Sequence, residues 1–324
     1  MTTSTQPFSL GEPQSAGPLT VYPVFGPDPR LTYRPLAEAV ALGTLVKELD
    51  GRGSVGDLSI ENPTDLPVLL FEGEEVLGAK QNRTFDSSVL VDARSRVQVP
   101  VSCVEQGRWT PGREADPMVP APQTADPTLR RSKRDSANRS ARAGLTARAD
   151  QGEVWSEVRS RLSLHGVDSD SAAMHDVYEG RRDRLSSLAG AIHHEDGQLG
   201  ALAAVSGRPQ VLDMVSRPEV FASLLPRLAQ GYVLDALLGE ERPADREACE
   251  AFLRSALGAP RADLPTPGLG RGIAVAGAEL VGSGLEHDDE LVQLSVFRAE
   301  GPGAAPSAEA RTTRILRPSR RRGS

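Results

Sequence analysis

Short apolar runs separated by Gly, Pro, Asn and Asp dominate the first part of the chain. Leu19–Phe25, Leu58–Glu61, Val68–Phe71, Ser88–Val91 and Val97–Val104 are rich in branched residues, which predicts repeated short strands of a sandwich or barrel. Pro35–Leu49 departs from this rhythm. There Leu36, Val40, Leu45 and Leu49 are compatible with one helical face, although Val and Gly residues weaken the pattern.

Helical periods take over later. Val154, Trp155, Val158 and Leu162 fall at helical spacing, and Tyr178–Leu188 continues as a charged amphipathic stretch. Leu199–Val205 and Gln210–Val215 read as strands joined by the turn chemistry of Ser206-Gly207-Arg208-Pro209, which predicts a hairpin. Ser216-Arg217-Pro218-Glu219 then has the form of a capping box, followed by Phe221, Leu224, Leu225, Leu228 and Tyr232 on one helical face. A second helix is expected over Arg246–Leu257, and three final strands over Ile273–Val275, Glu279–Val281 and Leu291–Phe297.

The predicted class is α+β: an N-terminal sandwich or barrel-like half packed with a mainly helical C-terminal half that includes a hairpin and a terminal antiparallel meander. Residues 1–17 and 301–324, rich in Ser, Thr, Pro, Gly and Gln or ending in Arg320-Arg321-Arg322, are expected to be disordered. Between them come a β-rich half over 18–112, a basic crossover over 113–150 and a helix-rich half over 151–300.

Composition narrows the function classes. With 324 residues, 39% hydrophobic and 25% charged, the chain can bury a sizeable core. Its formal net charge of -7 gives no general attraction for nucleic acid or an anionic membrane. No apolar run approaches the roughly 18 residues of a membrane helix, and the N-terminus lacks a charged region followed by an apolar stretch, so a cytoplasmic location is expected. Cys103 and Cys249 lie far apart in no metal-ligand spacing and are expected as free thiols. Arg130, Arg131, Lys133, Arg134, Arg139, Arg142 and Arg148 form a basic stretch that reads either as a solvated crossover or as a phosphate-gripping patch.

Candidate chemistry sits in two clusters, Phe71 to Arg83 and Val99 to Trp109. If Val97–Glu105 is one extended strand, Val97, Val99, Val101, Cys103 and Glu105 point to one side; Val68, Leu70, Glu72 and Glu74 do the same if their strand continues through Gly73. Each strand then starts apolar and ends polar, the layout of a pocket with a dry floor and a polar mouth. The first histidine is His165, so the β half offers no imidazole for a transition metal. Glu72, Glu74, Glu75 and Glu105 offer hard oxygens to Mg²⁺ or Ca²⁺, or else form a solvated acidic turn. Glu72 and Glu105 are also the candidate general bases of a hydrolase. Cys103 is either a nucleophile or a small buried hydrophobe. Gln81, Asn82, Arg83, Arg108 and Trp109 combine amides, guanidiniums for a diphosphate and an indole for stacking, and so suit a nucleotide; the alternative is a hydrogen-bonded turn with Trp109 closing the core.

The same two clusters, Phe71-Glu72-Gly73-Glu74 with Gly78-Ala79-Lys80-Gln81-Asn82-Arg83, and Val99-Pro100-Val101-Ser102-Cys103-Val104-Glu105-Gln106-Gly107-Arg108-Trp109, resemble the ARG and rhodanese-phosphatase-superfamily-associated protein domain. Gly200-Ala201-Leu202-Ala203 and Gly231-Tyr232-Val233-Leu234-Asp235-Ala236 are similar to that family too, for a span of about Leu19 to Arg298. The resemblance implies association with ADP-ribosylglycohydrolases and with NAD or ADP-ribose metabolism. It implies no catalytic residue. Three readings follow: an accessory that binds ADP-ribose or a relative, a hydrolase using Glu72 and Glu105 with a divalent metal, and a non-catalytic interaction module.

Overall fold

The computed structural model describes residues 8–49, 56–109, 116–142 and 148–299. The Arg-rich C-terminal stretch and residues 1–7 lie outside the described residues. The chain opens with strands β1 (Ser9–Leu10), β2 (Gln14–Ala16), β3 (Leu19–Phe25) and β4 (Arg34–Pro35), then helix α1 (Leu36–Ala41) and β5 (Leu45–Glu48). Next come β6 (Asp57–Asn62), β7 (Val68–Leu70), β8 (Glu74–Leu77), β9 (Arg83–Phe85), β10 (Val89–Val91), β11 (Ser95–Cys103) and β12 (Val119–Thr124). Four helices follow: α2 (Pro127–Arg142), α3 (Gln151–His165), α4 (Met174–Gly180) and α5 (Arg182–Ala189). The chain then runs through β13 (Gly200–Val205), β14 (Arg208–Val215), α6 (Pro218–Ala236), α7 (Arg246–Gly258), β15 (Arg261–Leu264), β16 (Arg271–Ala276), β17 (Leu280–His287) and β18 (Glu290–Arg298). The fold is α+β.

The largest sheet has the order β1-β3-β13-β14-β18-β17-β16-β15, with β2 also on β3, and its neighbours are antiparallel. Its strands are apolar on both faces. Val21, Ala201, Ala203 and Val211 point into a core shared with α6, whereas Tyr22, Leu202, Ala204 and Leu212 point into one shared with Cys249, Phe252 and Leu253 of α7. The two-residue period of a strand thus feeds two cores at once.

A six-stranded sheet, β12-β8-β9-β11-β6-β5, and a three-stranded one, β10-β7-β4, build the other part. The small sheet lies between two cores. Val68, Leu70, Val89 and Val91 pack with Ile60, Val99 and Val101 of the six-stranded sheet, whereas Leu69, Phe71 and Leu90 join the core of α6.

Several expectations change here. Leu19–Phe25, read with the N-terminal strands, pairs in the large sheet with β13, Tyr22 opposite Leu202. Residues 9–16, expected to lack structure, form β1 and β2 because both zip onto β3, Ser15 opposite Thr20 and Leu10 opposite Val24. The helix expected over 35–49 stops at Ala41; Gly43 adopts φ +101, and Leu45–Glu48 joins β6 instead. The Ser206-Gly207 hairpin forms as expected, with Ser206 and Gly207 both at positive φ and Val205 opposite Arg208.

The expected capping box does not form. Ser216 Oγ lies 2.9 Å from the hydroxyl of Tyr33 and caps nothing; Arg217 is the N-cap of α6, and Pro218 at the helix start has no N–H to satisfy. By contrast, Asp150 caps α3 by accepting from the Glu153 amide, and Gly166 ends that helix in the left-handed region.

Candidate ligand cleft and the residues around it

The turn between β7 and β8 sets up the polar interior. Strand β7 stops at Leu70, and Gly73 takes φ +83, so the parity assumed for Val68 to Glu74 is broken. A Cβ on Gly73 would lie 2.6 Å from Arg130 Cδ, so the residue also makes room for a guanidinium passing beneath. That guanidinium belongs to α2. Arg130, Lys133 and Arg134, three and four positions apart, form one helical face, and all three are buried. Neither the solvated crossover nor a patch open to phosphate describes them: their charges are met inside the protein.

Arg130 donates from Nη1 to Asp213 Oδ2 at 2.8 Å and from Nη2 to Asp213 Oδ1 at 2.6 Å, with Phe71 and Phe297 rings on either hand. Burial works against this charge, but the Asp213 carboxylate overrides it and lifts the guanidinium above its ordinary value. Tyr232 and Ser295 hydroxyls complete the Asp213 shell at 2.7 and 2.6 Å. Glu72 is tied to the same centre: its Oε1 is 3.5 Å from Arg130 Nε, and its Oε2 accepts from Ser283 at 2.7 Å and from Arg134 at 3.4 Å.

The remaining sequence-selected residues fall into separate groups. Arg83, almost wholly buried, donates to Gln81 Oε1 at 2.8 Å, to Glu48 Oε1 at 3.3 Å and to Cys103 Sγ. Cys103 is the last residue of β11, where Val99, Val101 and Cys103 of the expected stripe are buried, Val97 is half-buried, and Ser102 on the other side is buried as well. Burial raises its thiol above the ordinary value, with the Arg83 charge opposing. In the next group Glu105 accepts from Arg108 Nε at 2.9 Å, from the Asn82 amide at 3.1 Å and from Ser171 at 2.9 Å. Arg108 also donates to the Ala79 carbonyl and to Asn82 Oδ1. Trp109 stands apart, 49% exposed, with Lys80 Nζ 4.9 Å from its ring centre.

The acids likewise go to different partners. Glu74 Oε2 accepts from the Phe71 amide and Oε1 from Arg227; burial raises this carboxyl, and Arg227 pulls it back. Glu75 accepts from Gln123 Nε2 at 2.6 Å, and burial pushes it up to about 8. Gln123 Nε2 in turn lies 2.9 Å from His175 Nδ1. Glu72, Glu74, Glu75 and Glu105 therefore share no common centre, and among the described residues no group of three or more His, Cys, Asp or Glu side chains is placed to hold a metal ion.

An open cleft of about 430 Å³ lies where β17, the six-stranded sheet and α2 meet. Its walls carry Asp57, Asp86, Ser87, Ser88, Arg134 and Arg148, its lip is Leu264-Pro265-Thr266-Pro267, and Gly272, Ser283 and Gly284 supply the strand side. Glu72 sits directly behind, reached through Ser283 and through Ser88, whose Oγ accepts from the Glu72 amide at 2.9 Å. Two of these walls are pinned by ion pairs: Arg148 to Asp57 at 2.6 Å, and Lys133 to Asp86 at 3.0 Å. Sequence reading missed most of this site. The polar insert Asp86-Ser87-Ser88 between two apolar strands, and the helical spacing of Arg130, Lys133 and Arg134, were the signals available.

The family model described as ARG and Rhodanese-Phosphatase-superfamily-associated Protein domain matches residues 7–297. The chain matches no curated protein and no solved structure. Among the described residues no helix is long and apolar enough to cross a membrane.

Proposed function

Because the chain belongs to the ARG and Rhodanese-Phosphatase-superfamily-associated Protein domain family, we propose that it is a cytoplasmic accessory protein that binds a nucleotide derivative of the ADP-ribose type. The family description ties its members to ARG and rhodanese-phosphatase superfamily proteins, and the proposal takes the partners to be ADP-ribosylglycohydrolase-type proteins. The observation that carries it is the 430 Å³ cleft, which falls in the size range of small-molecule sites and presents two guanidiniums beside serine hydroxyls. Two free, buried thiols, Cys103 and Cys249, accord with a reducing compartment.

Calorimetry on the full chain tests this reading. Binding of ADP-ribose with one-site stoichiometry is expected, weakened about tenfold in Arg148→Ala, the loss of a hydrogen bond to a charged donor being worth about 1.5 kcal/mol or more. Absence of heat at millimolar ligand overturns it. Turnover of ADP-ribose, lost in Glu72→Ala and Glu105→Ala, would instead support a hydrolase.

A further inference from the structure

The charges around the cleft cancel, and that balance restricts what it accepts. Arg148 is paired with Asp57, Lys133 with Asp86, and Arg130 with Asp213, while Arg134 is the partner of Glu72. Each described cation near the cleft has its own carboxylate, so among the described residues no net positive charge is left to offset a phosphate. An anion entering here would lose its hydration without gaining an unpaired cation, which is unfavourable.

Hydrogen-bonding capacity is nevertheless left over on both sides of the ledger. Among the described residues the side-chain ties to Asp57 and to Asp86 end on Oδ1, leaving Oδ2 of each to accept a hydrogen bond. The bonds of Arg134 run from Nη2 to Glu72 and to the Asp86 carbonyl, and its Nε has no hydrogen-bond partner. Ser88 Oγ accepts from the Glu72 amide and so keeps its own proton to donate. Carboxylate acceptors beside guanidinium and hydroxyl donors match a hydroxyl, which donates and accepts at once. The proline lip at Pro265 and Pro267 offers an apolar edge to the C–H face of a ring.

We propose that the cleft recognises an uncharged, hydroxyl-rich ring, a pentose or hexose unit, and that any phosphate attached to it stays outside. This rests on the cleft being the ligand site and adds which part of the ligand it reads. Asp57 and Asp86 accept from neighbouring hydroxyls, and Ser88 and Arg148 donate to them.

Saturation-transfer NMR on the full chain, with D-ribose, D-glucose and inorganic pyrophosphate as separate probes, is the test. Signal from one of the sugars, none from pyrophosphate, and a several-fold loss in Asp57→Asn and in Ser88→Ala are expected. Asp57→Asn keeps the volume, and Ser88→Ala, which removes a proposed donor, provides a second, independent variant should the first alter folding. Pyrophosphate signal with silent sugars overturns the ligand class but leaves the cleft as a binding site. A sugar signal unchanged in both variants overturns the location. Silence from all three probes while ADP-ribose still gives calorimetric heat also overturns the inference but spares the functional proposal; silence together with no heat removes both.

Discussion

Arg130 is a cation with no access to water, and its placement turns a run of basic residues into a structural fastening. It joins α2 to β14 through Asp213, to β18 through Ser295 and to the β7–β8 turn through Glu72. Removing one member of such a pair leaves the other charge buried and alone. Arg130→Ala should therefore lower unfolding free energy by about 3–5 kcal/mol, whereas Arg130→Met combined with Asp213→Leu should recover most of that loss, because an apolar replacement removes both desolvation costs. Urea titration of the three proteins gives the comparison. Gly73→Ala belongs to the same scale. Its φ of +83 and the 2.6 Å approach to Arg130 Cδ predict a loss of about 1–3 kcal/mol, read in the same titration.

At the scale of elements, the start of α6 shows what local sequence can and cannot convey. Ser-x-x-Glu before an apolar face is a sound helix signal, and a helix does begin at Pro218. Its caps are nevertheless decided elsewhere, because Tyr33, far away in sequence, claims the Ser216 hydroxyl. Ser216→Ala should cost about 1 kcal/mol through that buried hydrogen bond, and Glu219→Ala should fall within about 0.5 kcal/mol of the parent protein, its exposed side chain pairing with Arg217 at the surface. Equal losses in thermal melts of the two variants would restore the capping box. The same division runs through the fold. Strand β11 and the Ser206-Gly207 hairpin were legible because period and turn chemistry are local properties. The pairing of Tyr22 with Leu202 was not, since nothing near either residue names its partner. The candidate site follows suit: its walls come from Asp57, Ser88, Arg134, Thr266 and Ser283, brought together only by tertiary packing. Arg130 and Arg134 read as solvated or phosphate-gripping for the same reason, because their counter-charges, Asp213 and Glu72, lie far away in sequence.

For the whole molecule, buried ionisable groups set how stability responds to pH, and their signs differ. Burial pushes Glu75 up from 4.5 to about 8, with the Gln123 hydrogen bond opposing and the charges of Glu105 and Asp176 reinforcing. Burial and then the charge of Asp126 raise Asp235 as well. Each of these carboxyls holds its proton more tightly in the folded chain, so its contribution is complete below the unfolded value and is lost as pH rises towards the folded one. His165 behaves oppositely: burial, reinforced by Arg161, lowers it from 6.5 to about 4, so the folded chain gains stability as pH rises across that interval. Below pH 6.5 the effects oppose one another. Between pH 6.5 and 8 the histidine no longer contributes, and Glu75, joined by Asp235 up to about pH 7, should make stability fall, with a slope of up to about 1.4 kcal/mol per pH unit for each proton. Glu75→Gln keeps an acceptor for Gln123 while abolishing the titration, so its denaturation midpoint should be flatter over that window than the parent's. A parent midpoint that rises from pH 6.5 to 8, or a variant that tracks it point for point, would mean that Glu75 does not carry the extra proton.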